Sequence, residues 1–350
     1  MQEQRAVNVA IIGCGLIGAR WDAPPPSRAS SLSHAAAFSR HERASLVAVC
    51  DPDSAKAEHA AQRWGGRPYF DATRMFAENR VELAVVATSS TVRWQVIEPA
   101  LAAGVKVLVI EKPLAATFAE SRMLAAAIDA AHVKSVVNFS RRWDPRMHEL
   151  RVAIGSGELG ALQRLIGLYG KGITNNGSHM IDLVGFLCEA RPLRARALGS
   201  PLDPREAAWS GGADPALDAQ VVYENPAGSQ FHLTMLGTDQ NSFTCFELRV
   251  IGQAALCDIS RGGRDLRLTS IEGDPDYAGY RIPGMARALP AGALTAMEHM
   301  ADEALQLALG TLQHPRCDVH SALRTAMTVE AIKRSAGAAG AWVDISSIVD

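Results

Sequence analysis

The chain of 350 residues is too long for one ordinary domain and comfortable for two, each able to bury its own core. Apolar residues make up 48% and charged residues 21%, a mixture that excludes a disordered or low-complexity chain. Lys and Arg number 35 against 37 Asp and Glu, so no basic excess points to nucleic acid or to an anionic membrane, and a small molecule is the default partner.

From the start the pattern alternates between short apolar runs and helix-period stretches. VNVAII is followed by glycines at 13, 15 and 18; LVAVC, LAVVAT and KVLVI repeat the strand signal, separated by helical sequence such as 54–64 and 92–103. Continuous rather than alternating apolar strands suit a parallel sheet covered on both faces, and right-handed crossovers make it doubly wound. A helix over 118–131 leads to KSVVNF, which closes this part. The run 7–19 has the length of a signal-peptide core, but its glycine spacing has a better explanation below, and no stretch approaches the roughly 20 apolar residues of a spanning helix. A soluble, cytoplasmic protein is expected. Cys14, Cys50, Cys188, Cys245, Cys257 and Cys317 form no CxxC pair and no metal-ligand spacing, so they read as buried thiols and no metal site is expected.

Beyond about Asp144 the character changes. After a helix over 145–154 come longer strand-like runs, ALQRLIGLY, AQVVYENPAGSQFHLTML and FELRVIGQAALCDI, the second turning as a hairpin at Asn225 to Gly228. These predict an α+β domain built on a large, mostly antiparallel sheet, with helices over 178–188, 295–309 and 319–335 packed on one face. The expected domains are residues 1–135, dinucleotide-binding, and 136–350, for substrate and self-association.

Gly13, Gly15 and Gly18 make GxGxxG between a strand and a helix. In that setting the first glycine permits the tight turn, the second lets backbone approach a pyrophosphate, and the third lets helix and strand pack. The helix N-terminus then faces the phosphates, so Gly13, Cys14, Gly15, Leu16, Ile17 and Gly18 are the expected cradle. The second strand ends in Asp51, which can accept hydrogen bonds from ribose hydroxyls and repels a 2′-phosphate, favouring NAD over NADP; its bland alternative is a turn residue. The tract WDAPPPSRASS, 21–31, stretches the interval between Gly18 and Asp51, because three prolines cannot continue a helix. It reads either as an inert insertion or as a loop over a ligand cleft.

At VKVLVIEKPLA the sequence resembles the EKP signature of the glucose-fructose oxidoreductase, inositol dehydrogenase and MocA family. Ala87 and Thr88 match the strand end that carries an ATP-like tripeptide, VNFSRRWDP is similar to the segment opening the second domain, and NNGSHMIDL to the family's DxGxHxxDL stretch. The 21–38 excursion, SRRWDP and YGKGITNNGSH together resemble a subgroup linked to surface-polysaccharide sugars. The resemblance implies an NAD(P)-dependent oxidoreductase moving a hydride between nicotinamide and a secondary alcohol or ketone of a sugar, cyclitol or nucleotide-linked sugar, working as a homodimer or homotetramer. Lys112 would polarise the reacting oxygen and His179 would move the proton. Thr88, Ser89, Glu111 and Lys112 would line the cofactor, with Pro113 following a cis bond, and Arg142 and Asn176 would join His179 at the substrate.

Asn175 stands where many members carry aspartate, and an amide holds an imidazole without supplying negative charge. His179 is therefore expected to work with a lower pKa, helped in part by Asp182, with Lys112 handling more of the proton. Arg93 reads as a solvated helix residue, its alternative being contact with a charged substrate group. A non-catalytic dinucleotide-binding regulator and an NAD-dependent glycosidase with transient oxidation are the alternative functions.

Overall fold

The computed structural model describes residues 5–22, 30–199, 214–238, 243, 245–289 and 295–349. The chain forms two units, one of Met1–Asp144 with Ala293–Leu323 and the other of Pro145–Gly292 with Arg324–Asp350.

The first unit holds six strands, β1 (Val7–Ile12), β2 (Ala44–Cys50), β3 (Arg67–Tyr69), β4 (Leu83–Val86), β5 (Val107–Ile110) and β6 (Lys134–Val137), in the order β3-β2-β1-β4-β5-β6. Every pairing is parallel. The residues of β4 and β5 are all buried, as a sheet covered on both faces requires. Helices α1 (His34–Ser39), α2 (Ser54–Trp64), α3 (Ala72–Glu78), α4 (Trp94–Ala102) and α5 (Phe118–Ala130) connect them. The strand order reverses between β1 and β4, the topological switch point of a doubly wound dinucleotide fold.

Two expectations for this unit change. The helix foreseen after the glycine turn is only a five-residue π-type turn, Leu16–Arg20, in which the Arg20 and Trp21 amides donate to the Gly15 and Leu16 carbonyls. The regular helix starts instead at His34, where Asp22 accepts the Leu32 and Ser33 amides and the Ser33 hydroxyl. The prolines of the 21–31 tract lie outside the described residues. Second, the helix foreseen over 295–309 does not belong with the antiparallel sheet. Numbered α8 here (Ala296–Leu309), it places Met297, Met300, Ala301, Ala304 and Leu305 in the same core as β1, β4 and β5. Its polar side is tied there too: Glu298 accepts the Ser31 amide, and Glu303 accepts Trp143 Nε1–H at 3.0 Å. The strip 140–143, placed beyond the cut at 135 by the sequence, also groups with this unit.

The second unit is a nine-stranded sheet of β7 (Leu162–Tyr169), β8 (Arg191–Ala197), β9 (Ala219–Glu224), β10 (Gln230–Gly237), β11 (Phe246–Gly252), β12 (Ala255–Ser260), β13 (Asp265–Gly273), β14 (Arg281–Ala288) and β15 (Val343–Asp344). Its order is β14-β13-β12-β11-β7-β10-β9-β8-β15, and only β7 with β10 is parallel. The hairpin at Asn225 forms as expected, with the Gly228 amide donating to the Asn225 carbonyl. Helices α6 (Pro145–Gly155) and α7 (Ser178–Leu187) lie in this unit. Strand β7 alternates buried and open positions, Leu165, Gly167 and Tyr169 inward against Arg164 and Ile166 outward, so one face of the sheet is lined with apolar side chains. Gly167 makes room for α7: a Cβ there would sit 1.8 Å from Met180 Sδ. Tyr223 of β9 donates its hydroxyl to the Ile181 carbonyl at 3.0 Å, fixing the helix that carries His179.

Among the described residues no helix is long and apolar enough to cross a membrane, and no group of three His, Cys, Asp or Glu side chains is placed to hold a metal ion. All six cysteines are buried.

Candidate active site

Strand register sets the first part of the site. Ile12 pairs with Cys50 and with Val86, Val86 with Ile110, and Ile110 with Val137. The next residue of each chain segment therefore stands in one row along the carboxyl edge of the sheet, in the order Asp51, Gly13, Ala87, Glu111, Asn138. Backbone bonds hold the row: the amides of Gly13, Ala87, Glu111 and Asn138 donate to the carbonyls of Cys50, Ile12, Val86 and Ile110. At about 4.8 Å per strand the row spans about 19 Å, along the edge where open parallel sheets gather ligands.

The glycine elbow sits at the switch point. Gly13 has φ +97°, and a Cβ on it would lie 2.7 Å from the Ala87 carbonyl; a Cβ on Gly18 would lie 1.8 Å from the Gly13 oxygen. Both are therefore needed for the fold of the elbow. Gly15 differs, since a Cβ there meets nothing within 4 Å. Its missing side chain leaves open space over backbone, which is the cradle that a pyrophosphate needs. Leu16 is exposed, while Cys14 is fully buried, its thiol pushed up to about 12 by burial and by Asp51, so it packs rather than reacts. Asp51 Oδ2 accepts the Cys14 amide at 2.9 Å and Oδ1 the Asp53 amide at 3.0 Å, so the acid expected to meet ribose also braces the elbow. On the other side of the elbow the Thr88 hydroxyl is buried without a partner among the described residues, and Ser89 is exposed and caps the following turn through Thr91. An open cradle, an orphaned hydroxyl and an acid at the end of β2 together fit a dinucleotide.

Glu111 and Lys112 follow β5. The Lys112–Pro113 bond is cis, as the resemblance implied, and Lys112 is half-buried. Glu111 is buried and accepts His34 Nε2–H at 2.8 Å and the Asn138 amide at 2.6 Å. Burial works to raise its carboxyl, but those bonds and the nearby Lys112 charge outweigh it and hold the group below the usual carboxylate value. The sequence did not reveal His34 or Asn138 as members of this cluster. Asn138 had a usable signal, being the first residue past the last parallel strand; His34 had none beyond starting a helix.

Arg93 is neither solvated nor open to a substrate anion. It is 2% exposed, and its guanidinium donates to the carbonyls of Thr88 at 2.8 Å, Leu114 at 3.1 Å and Pro113. The reason is packing: the residue lies between a short 3-10 turn and α4, and its side chain turns inward across the two strand ends. Arg142 donates to the Arg316 carbonyl at 2.6 Å.

In the second unit the segment before α7 is a π-type turn, Gly172–Gly177, entered from Lys171 in a left-handed conformation. Asp214 accepts the amides of Thr174 and Asn175, both at 2.8 Å, and Lys333 donates to the Thr174 hydroxyl at 2.7 Å. Asn176 Nδ2 donates to the Cys245 carbonyl at 3.3 Å. His179 and Asp182 are both buried on α7. Asp214 is thus a carboxylate beside Asn175 that the sequence reading missed, because 39 residues separate the two.

A doubly wound sheet with a glycine elbow at its switch point and an acid after its second strand has the architecture of a dinucleotide-binding Rossmann unit. Residues 7–139 match the family model described as an oxidoreductase family with an NAD-binding Rossmann fold. Over this stretch the chain is similar to the glucose-fructose oxidoreductase, inositol dehydrogenase and MocA family. Its relatives include D-apiose dehydrogenase of Paraburkholderia graminis, 31% identical over 152 residues, which are 43% of this chain and 37% of that protein. Inositol 2-dehydrogenase of Corynebacterium glutamicum is 29% identical over 204 residues, 53% of this chain and 56% of that protein. The matched stretches thus span less than two thirds of the relatives' lengths. An inositol dehydrogenase homologue of Azotobacter vinelandii, solved with NADH and myo-inositol, covers 97% of this chain and 98% of its own with a TM-score of 0.72 at 20% identity, a likeness of fold.

Proposed function

We propose that the protein is an NAD-dependent dehydrogenase or reductase acting on a secondary alcohol or ketone of a sugar or cyclitol. The observation that carries this is the row along the β1 to β6 edge, where Asp51, an open cradle at Gly15, the orphaned Thr88 hydroxyl and Lys112 follow one another on adjacent strands. Two matched relatives are dehydrogenases named for apiose and inositol, both small polyhydroxylated compounds.

Bound nicotinamide supplies the hydride chemistry. Gly13 to Gly18 hold the diphosphate by backbone, Asp51 accepts from ribose, and Thr88 and Ser89 line the second ribose. The Lys112 ammonium donates to the reacting oxygen and stabilises alkoxide charge. His179 is assigned the hydroxyl proton, imidazole being a side chain able to act as general base and acid. Self-association and a place in the cytoplasm belong to the same reading.

Calorimetry with NAD and NADP, followed by an absorbance assay for NADH over a panel including myo-inositol, D-apiose and nucleotide-linked sugars, tests it. NAD is expected to bind more tightly than NADP, and Lys112→Met to lower kcat by at least about a hundredfold while NAD affinity stays within about threefold, the pattern of a group used in the transition state. Absence of binding of either coenzyme to folded protein overturns the proposal.

A further inference from the structure

Arg93 is a fully buried cation whose guanidinium donates to main-chain carbonyls. Its three acceptors lie on two loops: Thr88 follows β4, whereas Pro113 and Leu114 follow β5. These are the two loops between which the proposed cofactor edge runs, and Lys112 is the residue immediately before the first clamped carbonyl of the second loop. Burial lowers the guanidinium to about 10, with the Glu111 charge opposing the shift, so it stays charged at neutral pH. Nothing about the β-sheet requires this link, because β4 and β5 are already paired through residues 83–86 and 107–110.

We propose that Arg93 is a positioning residue that clamps the loop after β5 to the loop after β4 and so fixes where the Lys112 ammonium points. The inference rests on the assignment of Lys112 to the reacting oxygen. A planar guanidinium fork can reach carbonyls on two loops at once with fixed angles, whereas an ammonium on a flexible stem makes one point contact, so lysine at 93 keeps charge and loses the clamp. Misplacement of a reacting group by about 1 Å is enough to cost about a hundredfold in rate.

The test compares wild type with Arg93→Lys and Arg93→Ala in the full chain. Two readouts are independent of turnover: hydrogen exchange of peptides covering 87–92 and 111–117, and the rate at which acetic anhydride acylates Lys112 relative to Lys106, read by mass spectrometry. Both variants are expected to exchange faster in these two segments together, with the acylation ratio changed at least threefold and NADH affinity by fluorescence within about threefold. With whichever panel substrate turns over, kcat falls about tenfold to a hundredfold with KM little changed, and millimolar guanidinium restores part of it in Arg93→Ala. Arg93→Lys with unchanged exchange and an unchanged acylation ratio overturns the clamp, even if wild type is an active dehydrogenase. Conversely, loosened loops and a shifted acylation ratio in a wild-type background that turns over no panel member retain the clamp and count against the assigned reaction. If Arg93→Ala fails to fold, Arg93→Lys still decides.

Discussion

Glu111 shows how a residue beside the proposed reacting group is held in one charge state. An ionised carboxylate only accepts, so the His34 ring nitrogen facing it carries hydrogen, and Asn138 turns its amide toward it. Replacing the carboxylate with glutamine weakens two charge-assisted bonds, each worth about 1.5–3 kcal/mol, so Glu111→Gln is expected to lose about 2–3 kcal/mol at pH 7 by urea unfolding. The folded carboxyl titrates below its unfolded value of 4.5. Its contribution is therefore present above that value and lost as pH falls through 4.5 toward the lower folded pKa. The gap between wild type and variant should close over that range, and a gap that stays constant down to pH 3 contradicts the charge assignment. Residues at this scale were legible where they follow a strand or sit in a motif, as with Gly13, Asp51 and Lys112. His34 was not, because its partner lies 77 positions away and only the folded register joins them. Arg93 was misread for a related reason: an arginine on a helix start looks solvated until the loops it bridges are in place.

Helix α7 is positioned by one missing side chain. Gly167 in the middle of β7 faces the fully buried Met180, and an added methyl at 1.8 Å from its sulfur cannot be absorbed without moving the helix or the side chain. Overpacking of this kind costs about 1–3 kcal/mol. Gly167→Ala is expected to lower thermal stability by that amount and to reduce turnover, since His179 is the residue before Met180. Pairing it with Met180→Ala frees the space, so the double variant should be more stable than the sum of the two single losses; strict additivity sinks the idea that this contact sets the helix. Elements announced themselves by period and length. The helices 54–64 and 178–187 stand within a residue of where their pattern placed them, whereas β3 has three residues including Pro68 and gives no periodic signal. Its proline is tolerated because β3 is an edge strand. Strand β14 escaped notice for the same kind of reason, being largely exposed and interrupted by Pro283 and Gly284.

On the scale of the whole chain, the nucleotide-binding unit is not a contiguous piece of sequence. An amphipathic helix declares in its sequence that one side will be buried, but not against which sheet, and α8 goes back to the parallel one from about 150 residues downstream. A fragment ending at Asp144 would therefore uncover the surface that Met297, Met300, Leu305 and Leu307 now seal. At about 1.5–3 kcal/mol for each large apolar side chain, the loss is on the order of 6–12 kcal/mol, comparable with the whole stability of an ordinary domain, about 5–15 kcal/mol. Residues 1–144 alone are expected to be insoluble or to lack cooperative unfolding by circular dichroism. The same stretch joined by a flexible linker to 293–323 should regain a sigmoidal transition, and NAD should raise its midpoint, because every residue assigned to the dinucleotide lies within it. A fragment of 1–144 that melts cooperatively at the temperature of the linked form contradicts this, since α8 would then contribute nothing to the core it fills.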